Sequence, residues 1–178
     1  MLKKNVSHST DPRTSDGVSL LISILVRFPQ IGTIQFDSKH RMLSLNFMLS
    51  QTVSPTDLES FQKAIAANLK AYHYITVKEP ACVKIETKQP YDKFCMLSIV
   101  RDLASLSKGE ITLISTLLAE KFHDCLILDD SEFVPDFIDE LDFPEELIDN
   151  MFETVRTQRV AKSLTALREN GRVLVFSK

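Results

Sequence analysis

Twice along this chain two short apolar runs, joined by a polar turn, lead into an amphipathic helix, and that repeat constrains the fold more than any other feature. Thr33–Phe36 and Met42–Leu49 flank the turn Asp37-Ser38-Lys39-His40-Arg41, the pattern of a hairpin. Ser54-Pro55-Thr56-Asp57 then supplies a capping hydroxyl, a proline at the first helical position and an acid near the positive dipole end. Leu58, Phe61, Ile65, Leu69 and Tyr72 follow as one apolar stripe, with Glu59 and Lys63 paired on the wet side. The second pass pairs Cys82–Thr87 with Phe94–Val100 across Gln89-Pro90-Tyr91-Asp92-Lys93. A capping box, Ser107-Lys108-Gly109-Glu110, opens the next helix, lined by Ile111, Ile114, Leu118 and Phe122. Tyr72-His73 precedes the apolar Tyr74–Val77, and Phe122-His123 precedes Cys125–Leu128. The pattern predicts a ββαβ unit used twice, with His73 and His123 in equivalent last turns, where histidine favours the negative dipole end.

The flanking segments complete the expected architecture. Val18–Phe28 is apolar except for Ser19, Ser23 and Arg27, one polar stripe at helical spacing, with Asp16 as N-cap and Pro29 and Gly32 as the stop. This predicts a largely buried first helix behind a flexible polar tail over residues 1–16. The run is too short to span a bilayer, which takes about 20 residues, and its flanks do not fit a signal peptide. Pro144 to Asn170 is helical in composition, closed by Asn170-Gly171. Leu147, Ile148, Met151, Phe152 and Val155 face one way, while Val160, Leu164 and Leu167 point about 150° away at 100° per residue. A kink near Thr157, two helices, or a second packing partner such as another subunit would each account for the shift. Val173-Leu174-Val175-Phe176 predicts a strand covered on both faces. The expected fold is α+β: a mainly antiparallel sheet from two hairpin-plus-helix units, an N-terminal helix, a long C-terminal helix and a buried C-terminal strand. Residues 17–178 form one domain in this reading, with an acidic connector at 129–143.

Charge is unevenly placed. The net charge of −3 conceals a window, Asp129 to Glu153, with 11 acidic and no basic residues, and a tail, Thr154 to Lys178, with six basic and one acidic. Phe133, Phe137 and Leu141 recur at helical spacing among Asp136, Asp139 and Glu140. This segment either packs its apolar stripe on the domain or docks as an acidic-aromatic strip on a partner or on the protein's own basic face. A calcium loop does not fit, because its glycine is missing. Arg156, Arg159, Lys162, Arg168 and Arg172 form the candidate basic surface, and Lys39, His40 and Arg41 a candidate basic turn.

No signature of chemistry emerges. The four glycines, Gly17, Gly32, Gly109 and Gly171, are scattered, which excludes a P-loop and a dinucleotide-binding fingerprint. Cys82, Cys95 and Cys125 lack CxxC spacing and predict free buried thiols in a reducing cytoplasm. No nucleophile elbow or H-E-x-x-H motif is present, and no cofactor or metal is expected. The remaining catalytic option is a site assembled from His73, His123 and Cys125. The leading expectation is a non-catalytic cytoplasmic protein-interaction or regulatory module, partnered by another protein or by itself as a homo-oligomer, with no membrane role. An RNA- or DNA-associated accessory protein is the alternative, and an enzyme with an unrecognisable site the third.

Overall fold

The computed structural model describes residues 12–80, 82–91, 93–128 and 146–178. Among the described residues, four helices and a six-stranded antiparallel sheet make an α+β fold. In chain order these are α1 (Pro12–Arg27), β1 (Thr33–Asp37), β2 (Met42–Leu49), α2 (Pro55–Thr76), β3 (Val83–Tyr91), β4 (Phe94–Asp102), α3 (Lys108–Phe122), α4 (Leu147–Thr157), β5 (Leu164–Glu169) and β6 (Arg172–Ser177). The strands lie in the order β3-β4-β2-β1-β5-β6.

One row across the sheet explains where the core sits. Ile85, Ile99, Leu45, Ile34, Ala166 and Val175 are successive cross-strand partners, so all six point to the same face. That face meets the buried sides of α1 (Leu20, Leu21, Ile24, Leu25), α2 (Phe61, Ile65, Leu69), α3 (Ile111, Ile114, Leu118) and α4 (Ile148, Phe152, Val155) in one hydrophobic core. The opposite face mixes polar and apolar side chains, with Ser44, Asn46 and Ser98 set among the half-buried Met42, Met48, Met96 and Val100. There Ser98 donates to Asn46 at 2.6 Å and Asn46 to Thr33 at 2.9 Å, a ladder joining three strands at directly opposed positions.

Both hairpin-plus-helix units form, but β3 runs on through Gln89, Pro90 and Tyr91, which the sequence assigns to the turn. Ser54 caps α2 by accepting the Asp57 N–H, and Ser107 caps α3 by accepting the Glu110 N–H. The third strand expected of each unit does not form. Tyr74, Ile75 and Thr76 are the last turn of α2, which closes at Val77 in the left-handed region with φ 54°. Cys125–Leu128 contributes only a single bridge, Leu126 to Leu49.

The ends of the chain depart further from expectation. α1 begins at Pro12, so Asp16 lies inside the helix rather than at its cap; residues 1–11 lie outside the described residues. Ser19 and Arg27 are exposed and Ser23 half-buried, as the polar stripe requires. The long C-terminal helix is instead the short α4 followed by the β5–β6 hairpin. Asn170 and Gly171, with φ of 49° and 72°, are the positive-φ pair of a two-residue hairpin turn, not a helix stop. β6 is an edge strand, not an interior one. Its apolar run is half-covered because Val173 and Val175 pack on the core while Phe176 is exposed.

Candidate functional site

The site begins where the helical layer runs short of the sheet. β3 is the outermost strand, and its helix-facing residues Val83, Ile85 and Thr87 oppose Arg101, Ile99 and Leu97 of β4. α2 reaches over it only at the edge, where Gln62 Nε2 donates to the Ile85 carbonyl at 3.2 Å. Between helix and strand lies a half-open groove of about 1060 Å³, whose walls include Ala66, Leu69, Val77, Pro80, Val83 and Ile85. Lys70, Lys78 and Glu79 stand among its polar lining. Tyr74, Ile75 and Val77, at the end of α2, are 88%, 79% and 89% exposed. Large apolar side chains left this open next to a groove mark an interaction surface more often than an idle one.

Val77 carries a second signal. A β-branched residue in the left-handed region is strained, because its Cβ crowds the following carbonyl. Glycine or asparagine would close the helix without that cost. The turn is held by the His73 carbonyl, which accepts from the N–H groups of Val77 and Lys78.

Beneath the groove is a buried ionic cluster. Arg101 is fully buried, and all five of its N–H groups are used. Nε and Nη2 donate to the two oxygens of Glu110, Nη1 to the Cys82 carbonyl and to Asp102, and Nη2 also to Ser105. Asp102 in turn accepts from the Ser105 N–H and hydroxyl and from the Cys82 N–H. Burial pushes the Asp102 carboxyl up, but the Ser105 hydroxyl, the Cys82 N–H and Arg101 together outweigh it and hold the group below the usual carboxylate range. The Glu110 side chain, which the capping box would turn back toward Ser107, is drawn to Arg101 instead. Tyr72 takes up the other side of that cap, its hydroxyl 2.8 Å from Ser107 Oγ.

His73 links cluster and groove. It is 5% exposed and lines the groove, and its Nε2 lies 3.2 Å from Glu110 Oε2. The angles at that contact are not those of a hydrogen bond, so among the described residues neither ring nitrogen has a hydrogen-bond partner.

Comparison of the chain with protein-family models, with curated proteins and with solved structures finds no match.

The basic residues singled out in the sequence divide into two groups. Arg156 donates to the carbonyls of Leu103 and Leu106, pairs with Glu153 at 2.5 Å and stacks on Phe152. Arg168 donates to the carbonyls of Leu25 and Phe28 at the end of α1. Arg41, at φ 55°, closes α4 through the carbonyls of Val155 and Arg156. These guanidinium groups tie elements together. Arg159, Lys162, Arg172 and Lys39 are exposed, and His40 sits 2.7 Å from Asp37. Cys125 is buried, whereas His123 is exposed beside Asp124. Among the described residues no group of three or more His, Cys, Asp or Glu side chains is placed to hold a metal ion. The acidic-aromatic strip from Phe133 to Leu141 and the connector at 129–143 lie outside the described residues. Among the described residues, no helix is long and apolar enough to cross a membrane.

Sequence reasoning missed Arg101 and the groove. Arg101 ends an apolar strand, where a charge reads as the solvent-facing terminus. The one available signal was Glu110, whose capping-box role hid its pairing with a residue nine positions earlier.

Proposed function

We propose that this chain is a protein-interaction module that receives a polypeptide partner along the α2–β3 edge. The observation that carries this reading is the apolar groove of about 1060 Å³ lying directly beside a strand edge that no described element pairs with. An exposed strand edge offers main-chain hydrogen bonds, and a neighbouring groove adds side-chain selectivity. The exposed Val77 at the rim, held in the left-handed region at φ 54°, supports the same reading, because strained residues cluster at sites that contact ligands. The buried cluster ties Cys82, just before β3, to β4 and α3 beside the groove.

A photoreactive residue placed at Ala66 or Tyr74, both lining the groove, tests this in the cells that make the protein. Irradiation is expected to give a discrete cross-linked polypeptide species. The same residue at Arg172, on the opposite edge of the sheet, is expected to give none. Absence of a discrete species at both groove positions would overturn the proposal.

A further inference from the structure

The reading of groove and free edge as an interaction surface leaves the partner unnamed, and the charges on β3 name one. We propose that the occupant is a second copy of this chain, joined by antiparallel pairing of β3 with the partner's β3. In an antiparallel pair directly opposed residues share a face, so a two-fold axis between two copies must pass through a residue position. An axis at Glu86 sets Glu86 against the partner's Glu86 and Lys84 against the partner's Lys88, which repels. An axis at Thr87 drives the pair into Pro90, which has no N–H to donate, and into the irregular stretch between Lys88 and Tyr91. An axis at Ile85 sets Lys84 against the partner's Glu86, twice by symmetry, on the open face. On the helix face it sets Ile85 against the partner's Ile85. It also uses the regular stretch of β3, Val83–Lys88.

Lys84 and Glu86 are both exposed in the single chain. The Gln62 amide that meets the Ile85 carbonyl leaves that oxygen a second lone pair for the facing strand. The axis stands perpendicular to the sheet, so the two helical layers lie on the same side and the two grooves open toward each other. Ala66, Leu69, Tyr74 and Val77 of each copy then cover the other's apolar walls, and a twelve-stranded sheet results.

Sedimentation equilibrium of the full chain tests the assignment. Wild type is expected to fit a monomer–dimer equilibrium. Lys84→Glu and Glu86→Lys each turn both cross-strand pairs from attraction to repulsion, and each is expected to raise the dimer Kd roughly tenfold or more. An equimolar mixture of the two variants restores opposite charges at both positions and is expected to associate as wild type does. That recovery also shows that both variants are folded. A wild-type chain that stays monomeric into the millimolar range overturns the proposal. So does a dimer that ignores both substitutions or a mixture that shows no recovery. If the chain is monomeric while Ala66 or Tyr74 cross-links to a different polypeptide, self-pairing falls and the interaction reading stands.

Discussion

Replacing Arg101 by methionine probes the most demanding part of the structure. The guanidinium has no exposure to solvent, and its fork meets both oxygens of a Glu110 that is equally buried. Methionine fills a similar volume but takes the guanidinium from both carboxylates, leaving Asp102 its Ser105 and Cys82 donors and Glu110 only the His73 imidazole 3.2 Å away. Removing one partner of a buried pair costs about 3–5 kcal/mol, because the other charge stays buried and uncompensated. With about 2–4 °C lost per kcal/mol for a chain of this size, the melting temperature should fall by roughly 6–20 °C. The second arm of the test is the double variant Arg101→Met with Glu110→Leu. Apolar replacement of a whole buried pair is often close to neutral, so the double variant should recover to within about 2 kcal/mol of wild type. Residual loss would come from Asp102, Ser105 and the Cys82 carbonyl, which keep fewer partners. Urea denaturation of wild type, both single variants and the double variant gives the coupling energy directly. An Arg101→Met protein within about 1 kcal/mol of wild type, or single losses that simply add, would refute the argument that the cluster stabilises through charge compensation.

Four further outcomes follow from the same structure. Asp102 has a depressed pKa in the folded chain, so its contribution is complete above the ordinary aspartate value of about 3.9 and is lost as pH falls through the lower folded value; denaturant titrations from neutral to acid pH should show a shallower acid limb in Asp102→Asn. Val77→Gly should raise stability by about 1 kcal/mol, through release of left-handed strain at φ 54°, while reducing the cross-linking yield at Tyr74. Gly109→Ala places a Cβ against the Tyr72 hydroxyl; it should cost more than Tyr72→Phe, which removes one hydrogen bond worth about 0.5–1.5 kcal/mol, and thermal melts of the two variants settle the order. Gly171→Ala, at φ 72°, should lose about 1–2 kcal/mol, read as a lower melting temperature.

The parts of the fold that were legible in the sequence are those whose signals are local. Ser54, Pro55 and Asp57 announce a helix start because capping acts within one turn. The two hairpins are visible because polar turns bound apolar runs. Of the three cysteines expected to be buried, Cys95 and Cys125 are, while Cys82 is half-buried.

What tertiary structure alone decided has a common cause: it depends on partners distant in sequence. Residues 158–170 have helical composition, yet Leu164 and Ala166 form strand because β1 offers them an unpaired edge and a place in the core row. Burial on a sheet overrides helix propensity of a few tenths of a kcal/mol per residue. Once those residues pair, Asn170-Gly171 becomes a hairpin turn instead of a helix stop, and the same two letters serve both. Arg156 and Arg168 look like a basic surface in one dimension and become ties to backbone carbonyls some 50 and 140 residues away in three. The groove could not be read at all, because it is defined by where α2 falls short of β3. Local chemistry determines which elements form; the order of strands determines which edge and which apolar wall are left open among the described residues.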